Sequence, residues 1–226
     1  MVASPPKWIA LAQTAPVFSG FSASEIERVA RCLGVHVRRF DRGDDLLAGS
    51  IDATSVGLVL DGSAFTARVD ARGTRQLVDA VAPGDVFGEG LLGDAASRGE
   101  ITVTGANPGH VAIIGMDKIV NAPEAVCHLR ARVVENLFHV MAAKNRSLQQ
   151  KLVVIATKSL RERILLFLAG QAGMHGSRQF TIMFSRTELA DYLNADRTAL
   201  SRELTRMKNE NLIDYYRDSF TVLQAA

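Results

Sequence analysis

Apolar residues along the chain recur in three textures, and each texture predicts a different kind of element. From Trp8 to Cys32 the spacing is helical. Pro16-Val17-Phe18 leads into Ser22 and Glu25, a capping box, after which Ile26, Val29, Ala30 and Leu33 return on one face. Trp8 and Phe18 read as packing residues. From Gly34 to Gly115 the chain breaks into short β-prone runs at Val35 to Phe40, Ser55 to Leu60, Ala64 to Val69 and Gln76 to Val81, with turn signals at Asp61-Gly62 and Arg72-Gly73. Fourteen of the eighteen glycines fall in this interval, so the runs must be short and closely turned, which predicts an antiparallel β-roll of the jelly-roll kind.

After Pro123 the texture changes again. Glu124 to Ile155 contains no Gly or Pro and predicts a helix of roughly 45 Å. Val126, Leu129, Val133, Leu137, Val140, Lys144, Leu148 and Ile155 lie close to a heptad seam that is interrupted at Lys144. A helix this long in a chain this short needs cover from elsewhere, and the expectation is a parallel homodimer zipped along the seam. A helix packed only within its own chain is the alternative. Thr157 to Ala169 predicts a further helix, Gly170 to Gly176 a loop, and Phe180 to Phe184 a short strand.

The stretch from Phe184 to Met207 carries the most information. Ser185 and Glu188 form a second capping box, so a helix begins at Arg186 with Leu189, Ala190 and Leu193 inward. Asn194 tolerates the left-handed conformation that ends it, and Asp196 caps a second helix with Leu200, Leu204 and Met207 on its buried stripe. Thr198, Ser201, Arg202 and Thr205 share the opposite face, with Arg197 beside them at the helix start. Arg can bond guanine through two donors, hydroxyls reach base edges or phosphates, and a helix N-terminus attracts a phosphate. Leu212 to Tyr216 and Ser219 to Leu223 make a hairpin about Arg217-Asp218, the wing of a winged helix, with Arg217 placed to reach a phosphate. A solvated polar face would be the bland reading of the second helix. The cap, the small Ala190 at the crossing, the Asn turn and the arginine-bearing face occur here in helix-turn-helix order, which favours DNA.

Composition narrows the setting without deciding it. The chain has 226 residues, 47% hydrophobic and 22% charged, room for one large or two modest domains. A net charge of +2 means that DNA affinity must come from local charge placement. Cys32 and Cys127, the two cysteines, stand far apart without metal-ligand spacing and read as small buried apolar residues in a reducing compartment. With no signal-peptide pattern and no apolar run of about 18 residues, the expected location is the cytoplasm, with no membrane partner.

With these residues in hand, the chain resembles the Crp/Fnr superfamily of bacterial transcription regulators over nearly its whole length. The carriers are Pro16 to Ser22, the Arg42-Gly43-Asp44 and Leu60-Asp61-Gly62 turns, Pro83-Gly84-Asp85-Val86-Phe87-Gly88-Glu89, the long helix, Arg161-Glu162-Arg163-Ile164 and the helix pair. The resemblance implies an α+β chain: a sensory, cyclic-nucleotide-binding-like β-roll with N-terminal helices at 1–122, a dimerisation helix at 123–156, and a winged helix-turn-helix at 157–226. It implies DNA contacts at Arg197, Thr198, Ser201 and Arg202, with Arg202 reading a guanine. Ser185, Arg186 and Thr187 match positions that touch the DNA backbone. Thr198 stands where the family often has Glu, so the operator need not be the family's commonest one.

The effector site departs from the family's pattern. Gly88 and Glu89 fit its ribose-binding segment, but Gly90 replaces a Leu, and Gly99 and Glu100 fall where an Arg pair would hold a phosphate, with Arg98 displaced by one residue. A carboxylate about 4 Å from a phosphate costs roughly 4 kcal/mol at an effective dielectric of about 20. Cyclic AMP is therefore not the expected effector. An iron-sulfur sensor needs more cysteines than two, and His36, His110, His128, His139 and His175 are haem-ligand candidates by residue type alone. The expectation is an unidentified small molecule, an anionic metabolite held by Arg98 and long-helix residues being one option.

The expected function is an effector-responsive, sequence-specific DNA-binding regulator, homodimeric on a pseudo-palindrome, with RNA polymerase as a candidate further partner. Two rivals stand beside it. One is a ligand-binding module that acts through protein partners. The other is a cupin-type enzyme, which would need clustered His and carboxylate ligands and finds no close His-x-His pair in this sequence.

Overall fold

A computed structural model of the chain describes residues 6–48, 55–69, 75–91, 100–120 and 127–223. They fall into two compact units, Met1–Lys144 and Asn145–Ala226, and the division lies inside the long helix.

The first unit opens with α1 (Lys7–Gln13), a 3-10 turn at Pro16–Phe18, and α2 (Ala23–Leu33). The capping box forms as expected: the Ser22 N–H donates to the Glu25 carboxylate at 2.8 Å and the Glu25 N–H to Ser22 Oγ at 3.3 Å. Gly34, at φ 60°, ends α2 in the left-handed conformation. Among the described residues five strands follow, β1 (His36–Phe40), β2 (Ser55–Val69), β3 (Arg75–Val81), β4 (Val86–Phe87) and β5 (Ile101–Gly115). All pair antiparallel, in the order β1-β5-β2-β3 with β4 on β2. Side chains alternate across this sheet. Val56, Leu58 and Leu60 of β2 and Ala112 and Ile114 of β5 pack with the helices, while Val59, Val111 and Ile113 point into the roll against Phe40, Phe87 and Leu91.

The structure corrects the sequence reading at Asp61-Gly62. Ser55 to Val69 is one bent strand, not two joined by a turn. Its pairing with β5 slips three times between Val59 and Ala64, and Gly62 takes φ 75° where a Cβ would stand 2.5 Å from the Pro108 carbonyl oxygen. The Asp-Gly pair builds a bulge that bends the strand instead of reversing it. The other turn signal, Arg72-Gly73, lies outside the described residues.

Helix α3 (Met116–Val120) lies within the unit, and α4 (Cys127–Ala156) begins in it and crosses the division after Lys144. Leu129, Val133, Leu137 and Val140 of α4 are buried in one cluster with Phe18, Ile26 and Val56. Over this length the stripe assigned to a seam between two copies is covered from within the chain. Periodicity shows that a face is buried and is silent about what buries it. Cys32 is another small correction, being half-buried and not buried.

The second unit contains the end of α4, then α5 (Leu160–His175), β6 (Gln179–Thr181), α6 (Arg186–Tyr192), α7 (Arg197–Asn209), β7 (Ile213–Tyr216) and β8 (Ser219–Val222), the strands ordered β6-β8-β7. Helix α5 runs through Gly170 and Gly173, where a loop was expected, and stops only at Gly176 with φ 59°. Two interior glycines cost about 1 kcal/mol each. The Ser159 cap and the burial of Ile164, Phe167 and Leu168 offset that cost. Among the described residues no helix is long and apolar enough to cross a membrane.

Candidate nucleic-acid interface

The helix pair is held from both ends by its own polar chemistry. At the start of α6 the Ser185 N–H donates to the Glu188 carboxylate at 2.6 Å, and the Glu188 N–H to Ser185 Oγ at 3.3 Å. The turn follows at Asn194, left-handed at φ 49°, and Arg163 of α5 clamps it by donating from Nη1 to the carbonyls of Leu193 and Asn194 at 2.6 and 2.9 Å. Asp196 then accepts from the N–H groups of Thr198 and Ala199 at 2.8 and 2.9 Å, opening α7. The Ala199 and Thr198 N–H bonds hold its carboxyl below the usual carboxylate range, so the cap is ionised at neutral pH.

Leu200, Leu204 and Met207 bury one face of α7, and Leu189, Ala190 and Leu193 are buried in the preceding helix and turn. On the opposite side Arg197, Thr198, Arg202 and Thr205 are exposed and Ser201 is half-exposed. Thr205 is partly engaged, since its hydroxyl donates to the Ser201 carbonyl at 3.0 Å. Arg161 anchors the far side of α7: Nε bonds Glu203 at 2.7 Å, and Nη1 and Nη2 fork onto Glu210 at 2.6 and 2.9 Å. These carboxylates push the guanidinium pKa further up and fix the helix at two points two turns apart. The sequence reading gave Arg161 and Arg163 no structural role. Their partners lie some thirty to fifty residues away, with no spacing signal to reveal them.

The three positions assigned to the DNA backbone have separate fates. Thr187 is exposed, and Ser185 is engaged as the helix cap. Arg186 is folded onto the wing, its guanidinium over the rings of Tyr215 and Phe220 at 5.0 and 5.6 Å. In the wing, Arg217 is exposed at the tip and left-handed at φ 55°.

The Gly88–Glu89 corner, where the sequence pattern expects an effector, lies in the first unit. Gly88 turns at φ 81°, and Glu89 begins a 3-10 turn at Glu89–Leu91. Glu89 is paired from within: Lys144 Nζ of α4 stands 2.6 Å from its Oε1 and also donates to the Val86 carbonyl at 2.8 Å. The lysine that interrupts the apolar seam is thus a half-buried tie between α4 and the roll. Asp85, beside it, has its carboxyl raised by burial, against the pull of the Ala82 N–H and of Lys144. Glu100 pairs with Arg68 at 2.6 Å, and Arg98 lies outside the described residues. Of the histidines, His110 bonds Asp61 through Nδ1 at 2.9 Å and His175 stacks on Phe180 at 5.6 Å. His36, His128 and His139 are exposed. Among the described residues no three His, Cys, Asp or Glu side chains group around a point that could hold a metal.

A capped helix pair, a clamped turn, a polar second helix and a β-hairpin wing define a winged helix-turn-helix, here on the same chain as an antiparallel roll. Residues 162–226 match the family model of the Crp-like helix-turn-helix domain. The chain is 30% identical to the nitrogen fixation regulation protein FixK of Rhizobium meliloti over 156 residues, which are 69% of this chain and 66% of that one. It is 24% identical to the transcriptional activator protein FnrA of Stutzerimonas stutzeri over 182 residues, 78% of this chain and 72% of that one. Among solved structures, FixK2 from Bradyrhizobium japonicum superposes with a TM-score of 0.66 at 16% identity, covering 84% of this chain and 93% of its own. A CooA mutant from Carboxydothermus hydrogenoformans superposes at 0.69 and 15%, covering 92% and 88%. At such identities the structural likeness speaks for the fold. The sequence matches show that this chain belongs to the Crp/Fnr superfamily of transcription regulators.

Proposed function

We propose that the protein is an effector-responsive, sequence-specific regulator that binds a pseudo-palindromic operator as a homodimer and catalyses no reaction. The observation that carries this reading is the two-faced α7, apolar and buried at Leu200, Leu204 and Met207, polar and accessible at Arg197, Thr198, Ser201 and Arg202. Arg202 bonds a guanine in the major groove, Arg197 and Thr198 contact DNA at the helix start, and Ser185, Thr187 and Arg217 lie along the phosphates. Two such helices about 34 Å apart meet successive major grooves, which is why the active species is a dimer.

The dimer forms along α4, on a different face from the stripe that covers the roll. Phe138 is 72% exposed there, and with Ile119, Ala131 and Val134 it lines a groove of about 660 Å³. The occupant is the same helix of a second copy. Arg130 and Glu135 line the same groove, so a two-fold pairing sets each against its opposite on the other chain. The segment at Gly88, Glu89 and Arg98 is the effector site, and a ligand that engages Glu89 has to share or displace Lys144. That exchange couples ligand binding to α4. The protein works in the cytoplasm, where its thiols stay reduced, and RNA polymerase is the further partner that a promoter-bound dimer would meet.

Selecting bound duplexes from a random pool, with and without cell extract, tests the reading. It expects a two-fold-related pair of half-sites one helical turn apart, retained less as salt rises. Recovery of no common sequence would refute it. Sedimentation of Phe138→Glu tests the dimer separately, with a monomer expected and a stable dimer counting against the groove.

A further inference from the structure

The first turn of α6 and the wing meet at one side chain. Besides lying over Tyr215 and Phe220, Arg186 donates from Nη2 to the Arg217 carbonyl at 2.9 Å. Arg217 opens the two-residue wing turn between the paired Tyr216 and Ser219 in a left-handed conformation, φ 55°, as so tight a hairpin requires. The bond from Arg186 ties the carbonyl of that turn to α6. Tyr215 is in turn tied to the recognition helix: its hydroxyl stands 3.4 Å from Thr205 Oγ1, and its carbonyl accepts from Lys208 Nζ at 3.2 Å. A continuous path of contacts therefore runs from α6 through the wing to α7.

We propose that Arg186 is a positioning residue, which sets the wing tip for DNA by stacking on Tyr215 and bonding the Arg217 carbonyl, and does not itself bond a phosphate. The proposal rests on the DNA-binding reading above. Burial pushes the Arg186 guanidinium pKa down, the mark of a cation that has given up water to rings and a carbonyl. Stacking with two rings suits the flat guanidinium and leaves little of it to swing toward DNA. What the path presents at the tip is Arg217 with its guanidinium over the Tyr216 ring at 5.5 Å, and Tyr216 itself is 73% exposed. The wing tip then supplies its phosphate contact through Arg217, and Arg186 adds none of its own.

A double-mutant cycle on the full-length protein tests this, using a duplex recovered from the random pool. Arg217→Ala is expected to weaken binding about tenfold and to lower the salt slope by about 0.9, the loss of one phosphate contact. Arg186→Ala should do nearly the same, and the double variant should be no worse than Arg217→Ala alone. Losses that multiply, with the slope falling a second time, would make Arg186 an independent phosphate contact and overturn the proposal. Tyr215→Leu keeps the Arg186 charge and guards against a misfolded Arg186→Ala. It should match Arg186→Ala, whereas parental affinity would also overturn the proposal. If the parent itself retains no duplex, the DNA reading fails first, which is a distinguishable result.

Discussion

Helix α7 and the Gly88–Glu89 corner both carry cations, yet in one place they are exposed and in the other the cation is already paired. On α7 the charged groups that hold the fold, Glu203 and Glu210, point to Arg161 and away from the polar face, leaving Arg197 and Arg202 exposed. At the corner, Lys144 is already bonded to Glu89 and to the Val86 carbonyl, with little of either side chain in water. Availability for a partner is therefore a matter of what a side chain is bonded to, which residue type alone does not disclose. Arg186 makes the same point on a smaller scale, lying in the recognition motif but turned to the wing.

Four substitutions or conditions would break or sharpen that contrast. Lys144→Met should cost about 2 to 3 kcal/mol of stability, since it leaves a half-buried carboxylate unpaired. Chemical denaturation reads this, and an unchanged midpoint would mean that the tie holds nothing. Arg202→Ala should do the reverse, costing about 1 to 3 kcal/mol in operator affinity with relaxed choice at one guanine, and leaving stability within about 0.5 kcal/mol. A gel-shift series beside a melting curve separates the two effects, and equal operator affinity would remove Arg202 from the interface.

A smaller effect comes with pH. Because burial raises the Asp85 carboxyl in the folded protein, its contribution is fully present below the ordinary carboxylate pKa and is lost as pH rises through the raised value. Lys144 opposes that loss, so the deficit of Lys144→Met should be largest at neutral pH and shrink toward the carboxylate range. Denaturation at several pH values checks this, and a deficit independent of pH would detach Asp85 from the cluster. Least of all, Arg206→Ala should change stability by under about 0.5 kcal/mol, since its 3.2 Å pair with Glu203 leaves the arginine 68% exposed. A larger thermal shift would show that α7 is held by more than Arg161.

Much of the second unit is legible in the sequence alone. Ser185, Glu188, Asn194 and Asp196 act on donors and acceptors within four residues of themselves, so their chemistry can be read along the chain. The same locality explains the Ser22 box and the wing turn at Arg217. Misreadings arose where a local signal admitted two outcomes. Asp61-Gly62 can reverse a strand or bend it, and the register against β5 decides for a bend. Gly170 and Gly173 weaken a helix without ending it, and the buried Phe167 and Leu168 keep it whole.

The sequence by itself determined where the box- and Asp-capped helices α2, α6 and α7 start, which faces are apolar, and that a helix with a polar face follows a tight turn, because hydrogen bonding over one turn and the periods of helix and strand are properties of neighbouring residues. Tertiary structure alone decided what covers each face and which charge meets which. It gave the stripe from Leu129 to Val140 to the roll, joined Lys144 to Glu89 across 55 residues, and spent Arg186 on the wing. Those pairings depend on distances through space, and no spacing along a chain encodes them.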